Sequence, residues 1–369
     1  MLEELSASSL EFEDDSLQNS EIEKEDDDPI ESTYSMTWYG ADYTVDSLVS
    51  RIDRGDIYIP KFQRSYVWDL KQASRFIESL LLGLPVPGIF LAKEEDTKKL
   101  IVIDGNQRLR TLAYFYKGTF DPTGKAFKLI DVQKKFINAT YISLSSEDRR
   151  ELDDSILHAT IVKQDEPSND DSSIYLIFER LNTSGKVLKP QEVRSCIYHG
   201  NFKEALAELN TNKSWRAIYN APTGFDKHLR DEELILRFMA LFDLHQEYRK
   251  PMKNFLNGYM KKNKNGNSNL IIKKELFIKT IELIHRYIGD KAFKIRKGLN
   301  AAVFDAVMVG LATRIDNDVI TQEETIKKIY DDLIHNKEFL IFVDTARTTD
   351  NLEVQGRIKI AIKAFAEVL

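Results

Sequence analysis

The run Ile101-Val102-Ile103-Asp104-Gly105-Asn106-Gln107-Arg108-Leu109-Arg110-Thr111-Leu112 carries residue types suited to handling phosphate. A β-strand that turns through glycine into a helix aims several unpaired backbone N–H groups at one spot, and the helix dipole adds partial positive charge there. Gly105 lets the backbone approach a bound group closely. Arg108 supplies a planar fork for phosphate oxygens. Asn106 and Gln107 offer neutral donors and acceptors that would orient a water or a ribose hydroxyl. Thr111, one turn on, joins the phosphate-binding candidates. Asp104 would repel an anion, so it reads as a metal ligand, a general base or an internal partner of Arg108. The plainer alternative is an ordinary strand–turn–helix held by an Asp104–Arg108 ion pair.

Two further segments add candidates. Lys61-Phe62-Gln63-Arg64-Ser65-Tyr66-Val67-Trp68 interleaves positive charge with aromatic rings, a mixture suited to nucleotides because rings stack on bases while cations meet phosphates. Gln63 and Arg64 are its phosphate candidates; Lys61, Tyr66 and Trp68 are its candidates for DNA or base contact. The alternative is a surface loop pinned into the core by Phe62, Tyr66 and Trp68. Phe178-Glu179-Arg180-Leu181-Asn182-Thr183-Ser184-Gly185-Lys186 reads as a helix C-cap, with Asn182 or Gly185 left-handed. It lacks the G-x-x-x-x-G-K-[ST] spacing of a P-loop. Asn182 (phosphate) and Lys186 (DNA) are the residues that would face a cleft there.

Other chemistries are excluded by what the chain lacks. Its six histidines show no H-x-x-H or H-E-x-x-H spacing, and there is no G-x-S-x-G or G-x-G-x-x-G. Cys196 is the sole cysteine, so no intramolecular disulfide can form, and its apolar helical context reads as buried filler.

The elements that must position these residues follow from periodicity. Thr44 caps a short helix bearing Val45, Leu48, Val49 and Ile52, and Ile57-Tyr58-Ile59 reads as a brief strand. Asp69 caps an amphipathic helix with Leu70, Ala73, Phe76, Ile77, Leu80 and Leu81 on one face, ended by Gly83 and the Pro85–Gly88 turn. Strands over 89–92 and 100–103 form a hairpin, and the second runs into Asp104–Arg108. From about residue 145 the pattern predicts helices almost throughout. Among them are 171–181, one opening at Pro190, one marked by Leu234–Phe242, 276–288, 303–311, one from a Thr321–Glu324 capping box, and a terminal 358–369, with Lys261–Asn269 as a polar linker. The fold class is α+β: an acidic disordered leader over 1–33, an α+β unit over 34–145 and a helical domain over 146–369.

Charge sharpens this division. Residues 1–33 hold thirteen acids and one base, whereas residues 34–369 hold 51 bases and 46 acids. The formal charge of −7 therefore hides a folded part of +5 behind an acidic arm, which either solubilises the chain or competes with nucleic acid for a basic groove. No apolar run approaches the ~18 residues of a membrane span, and the N-terminus is acidic where a signal peptide is basic, so the expected location is cytoplasmic.

Four ordered motifs resemble the N-terminal domain family of GmrSD-type restriction systems. They are Pro60–Trp68; Ile103–Leu109; Phe178–Asn182 with Gly185, Leu188 and Gln191–Arg194; and Arg230–Arg237. The resemblance implies a ParB/sulfiredoxin-like fold followed by a helical domain, and a nucleotide-handling Asp-Gly-Gln-Gln-Arg hallmark used in phage defence. That hallmark falls on Asp104, Gly105, Asn106, Gln107 and Arg108, with Asn106 in place of the first glutamine. Members often continue into a His-Asn-His nuclease domain, for which this chain has no pattern, so a separate nuclease or defence subunit is an expected partner.

Three functions follow. In the first, the chain binds and hydrolyses a nucleoside triphosphate with Mg²⁺, using Asp104, Gln107 and Arg108, and acts on or senses DNA. In the second, Asp104 holds a metal in a DNA-nicking nuclease. In the third, the chain is a non-catalytic DNA-binding sensor. DNA is the expected partner, a membrane is not, and a homo-oligomer is compatible with each.

Overall fold

The computed structural model describes residues 35–59, 66–94, 97–166, 174, 177, 178, 180, 189–219, 224–295, 298–344 and 347–368. The class is α+β: a five-stranded mixed sheet in the first half and helices in the second.

The sheet has strand order β1-β7-β3-β4-β2, built from β1 (Ser35–Thr44), β2 (Ile57–Tyr58), β3 (Ile89–Lys93), β4 (Leu100–Asp104) and β7 (Ile156–Glu166). β3 and β4 form the expected antiparallel hairpin; β2 runs parallel to β4, β7 parallel to β3, and β1 antiparallel to β7. A small second pair, β5 (Thr119–Phe120) and β6 (Lys125–Ala126), follows the site helix. The expectation of helices from residue 145 is corrected by β7. Leu157, Ala159 and Ile161 are buried in the same core as α1 (Val45–Asp53) and α2 (Leu70–Leu81), so the sheet unit extends to Glu166. β1 was not foreseen as a strand either. It is an edge strand, exposed over most of its length, and shows no clean alternation of apolar and polar residues.

Both faces of the central strands are covered, and β4 shows why its sequence is apolar without alternation. Leu100 and Val102 point into the core shared with α1, α2, α3 (Asn106–Lys117) and α4 (Ser146–Asp154). Ile101 and Ile103 point the other way, into the core of the helical half. Successive strand residues face opposite sides, so each lies in a different core, and burial of each such side chain stabilises by ~1.5–3 kcal/mol.

The helical half runs α5 (Pro190–Ile197), α6 (Asn201–Leu209), α7 (Lys213–Tyr219), α8 (Arg230–Leu244), α9 (Met252–Asn263), α10 (Asn269–Tyr287), α11 (Ala301–Asn317), α12 (Thr325–Ile334), α13 (Lys337–Val343) and α14 (Asn351–Phe365). At its centre α11 is buried from Ala301 to Ala312. The linker expected over 261–269 shrinks to 264–268, because Lys261, Lys262 and Asn263 complete the last turn of α9. The cap expected at Thr321 moves to Glu324 and makes no side-chain bond. The helix expected over 171–181 falls mostly outside the described residues, of which Ile174 and Phe178 are buried against this core. Among the described residues, no helix is long and apolar enough to cross a membrane.

Candidate functional site

β2 and β4 run parallel, so the segments leaving their C-terminal ends emerge on the same edge of the sheet. These are Ile59 and the Asp104–Arg108 turn. The chain crosses from β4 into α3 through Gly105, whose φ of +99° favours glycine and where a Cβ would lie 2.3 Å from Ile89 Cγ2. Gly105 offers no side-chain cap, and the helix dipole places partial positive charge at the first amides of α3.

Arg108 folds back over this turn. Its Nη2 donates to the Gly88 carbonyl at 2.9 Å and to Asp104 Oδ2 at 2.8 Å. The Arg108 side chain is 15% exposed and that of Asp104 43%. Among the described residues Arg108 Nε is buried with no acceptor. Gly88 belongs to the site for a reason the sequence reading missed: a Cβ there would lie 2.8 Å from the His158 carbonyl oxygen, so the Pro85–Gly88 turn lies tight against β7. The signal was the glycine ending a proline-rich turn, read only as a helix stop.

Gln107 fastens the two segments together. Its Oε1 accepts from the Val67 amide at 3.0 Å and the Trp68 amide at 3.3 Å. One residue on, Asp69 closes a capping box with Gln72, so the end of the loop is held from both sides. Gln107 thus organises the loop, and its side-chain oxygen is already engaged.

Three candidates turn inward. The Thr111 hydroxyl donates to the Gln107 carbonyl at 2.7 Å and lies 2.7 Å from the Tyr66 hydroxyl, and Thr111 is fully buried. As a phosphate ligand Thr111 is therefore corrected: both its position and its hydroxyl belong to the interior. Tyr66 packs edge-on against Tyr114 and Phe120, and burial pushes its hydroxyl up to about 12. Trp68 packs on Phe76 with ring centroids 5.6 Å apart. Tyr66 and Trp68 are both partly buried, with their rings packed on core aromatics as the pinned-loop alternative expects. Asp104, Gly105, Asn106 and Arg108 remain together at the turn; Lys61, Gln63, Arg64, Asn182 and Lys186 lie outside the described residues.

The later motifs interlock with each other. Arg194 Nη2 donates to Glu233 Oε2 at 2.5 Å and its Nε to Gln191 Oε1 at 2.7 Å. His228 Nδ1 lies 3.1 Å from Glu192 Oε2. Along α8, Arg230 pairs with Asp226, Asp231 with Arg216 and Arg237 with Asp305. Arg357 joins the last pair at 2.8 Å, and Arg237, Asp305 and Arg357 are all buried. These polar motifs hold helices to one another.

The molecule is thus an α+β protein in which a glycine-turned strand end is tied through Gln107 to Val67 and Trp68. Residues 45–199 match the family model of the GmrSD restriction endonuclease, N-terminal domain. The match takes in β7 and α5, in keeping with a sheet unit that extends past residue 145. No curated protein matches the chain.

Proposed function

We propose that this chain binds and hydrolyses a nucleoside triphosphate at the Asp104–Arg108 turn and, as part of a restriction-type defence, acts on or senses DNA. The observation that carries this reading is the convergence of two parallel-strand ends, joined by Gln107, at a helix N-terminus. Crevices outside the carboxyl ends of strands are where open α/β sheets bind ligands, and phosphate suits a helix N-terminus. The buried Arg108 Nε adds a second support, because an unpaired buried donor costs ~1–3 kcal/mol that an incoming phosphate oxygen would recover.

A metal would rest on Asp104. Its carboxylate is nearly half exposed, with Oδ2 on Arg108. That fits Mg²⁺, which takes one or two protein carboxylates with the ligand's own phosphates and would neutralise charge on them. On binding, Arg108 would release Asp104 and turn its fork to phosphate, while the first turn of α3 would place positive dipole charge beside the oxygens.

One observation favours a second reading, a DNA-binding sensor without turnover: the Asp104–Arg108 pair is closed at 2.8 Å. Phosphate release across four nucleoside triphosphates, with and without DNA, decides between them. The hydrolytic reading expects turnover that Asp104→Ala and Arg108→Ala each abolish. Nucleotide or DNA binding without release leaves the sensor. DNA nicking that needs no nucleotide and disappears in Asp104→Ala would establish the nuclease instead.

A further inference from the structure

α14 carries one apolar stripe more than its own packing uses. Its inner face, Val354, Ile358, Ala361 and Phe365, is buried at helical spacing. A Cβ on Gly310 would lie 2.8 Å from the Ala361 carbonyl carbon, so α11 and α14 approach each other closely there. A second stripe, Gly356, Ile360 and Ala364, recurs every four residues on another side of the helix and stays partly exposed. One apolar stripe is enough to hold a surface helix to its core, and a further one left open marks an interaction site.

This second stripe forms one wall of a groove of about 550 Å³ between α12, α13 and α14, which pack on one another. On the opposite wall Ile329 and Leu333 repeat the four-residue spacing along α12. A Cβ on Gly356 would lie 2.8 Å from both Cε1 and Cζ of Phe342, so glycine is what lets the α13 ring settle against the α14 backbone. The rims carry opposite charge. Lys359 and Lys363 stand on the α14 side, Asp332 and Glu338 on the side of α12 and α13, and all four are exposed. Among the described residues none of the four forms an ion pair. Glu367, just past the end of α14, adds an acid beyond Lys363.

We infer that this groove docks an amphipathic helix of a partner protein, with acidic residues on the flank beside Lys359 and Lys363 and basic residues on the flank beside Asp332 and Glu338. Helix surfaces present ridges every four residues, and the side chains of an incoming helix fit between them. From Gly356 to Ala364 the open stripe runs ~12 Å at 1.5 Å per residue, about the two turns that apolar anchors at i, i+3, i+4 and i+7 span. Rims of opposite sign disfavour nucleic acid or a uniformly charged peptide, because like charges placed together across an interface cost affinity. The groove lies outside residues 45–199, and this docking goes beyond the nucleotide and DNA reading.

The test is fluorescence anisotropy of the full chain with labelled synthetic peptides of about sixteen residues, long enough to hold a helix. One peptide has a leucine stripe between a glutamate flank and a lysine flank; two others keep the stripe between flanks that are all glutamate or all lysine. The mixed peptide is expected to bind saturably and at least threefold more tightly than either uniform one. Ala364→Arg, which puts a long side chain into the groove from a partly exposed position, is expected to weaken binding at least tenfold with an unchanged melting temperature. Lys359→Glu/Lys363→Glu makes both rims acidic and is expected to reverse the order, so that the all-lysine peptide binds most tightly. Lys327→Glu/Lys328→Glu, the same charge change on exposed residues of α12 outside the groove, is expected to leave binding within twofold. A wild type that takes up no peptide or does not favour the mixed one, or an Ala364→Arg variant that binds like the wild type, would overturn the assignment. Sedimentation of the full chain separates the remaining occupant: dimers that Ala364→Arg dissociates would give the groove to a second copy and overturn the partner helix.

Discussion

Two regions of the molecule use the same groups at nearly the same distances for opposite purposes. In the helical half Arg237 and Arg357 close on Asp305 at 2.6 and 2.8 Å, with all three side chains removed from water. At the sheet edge Arg108 closes on Asp104 at 2.8 Å, but Asp104 is nearly half exposed. Distance does not distinguish the two; burial does. A buried charge that loses its partner stays charged in a low dielectric, so the helical pairs are fixed parts of the fold. A pair at the surface contributes ~0–1 kcal/mol, so a ligand can reopen it.

The largest expected effect comes from breaking the buried triad. Asp305→Ala removes the buried carboxylate that both arginines share and should lower stability by ~3–5 kcal/mol, or prevent folding, as read from a urea denaturation midpoint. The matching variant at the sheet edge, Asp104→Ala, should move that midpoint by less than ~1 kcal/mol. Equal losses would erase the contrast between the regions. Next comes Gly105→Ala, which forces a side chain into a left-handed backbone and against Ile89. A loss of ~1–3 kcal/mol is expected in the same denaturation, together with loss of nucleotide binding.

Gln107→Ala should cost about 1 kcal/mol and speed hydrogen exchange at the Val67 and Trp68 amides, while leaving exchange in α8 unchanged. A separate effect is one of pH. Burial holds the Glu232 carboxyl up to about 7 against an ordinary 4.5, with Lys203 only partly opposing it. Between those values the folded state binds more protons than the unfolded one, so Glu232 makes stability fall as pH rises from about 4.5 to 7. Glu232→Gln should flatten that segment of the stability–pH curve and raise stability above pH 7. An unchanged curve would show that Glu232 ionises freely in the folded protein.

How much of this was legible in the sequence differs by element. α2 was readable because its signals are local: a capping Asp69 and an apolar face at helical spacing. The β3–β4 hairpin was readable for the same reason. β7 was not, because its partners β3 and β1 lie far back in the chain and its apolar run contains His158. At the candidate site, the strand–glycine–helix turn was visible in Gly105 alone. That Gln107 would hold the loop, and that Thr111 would face inward against Tyr66, depends on how β2 and β4 align, which no local pattern encodes. Tyr66 and Trp68 looked like base-stacking rings because composition does not tell a ring that faces solvent from one that anchors a loop.

The central claim is that the Asp104–Arg108 turn receives phosphate, and calorimetric titration of nucleoside triphosphate with Mg²⁺ into the wild type and into Arg108→Ala tests it most directly. The account predicts saturable binding at one site by the wild type and at least tenfold weaker binding by the variant, with the folded state of both confirmed by denaturation. Wild-type protein that takes up no nucleotide, or an Arg108→Ala variant that binds as tightly as the wild type, would contradict it.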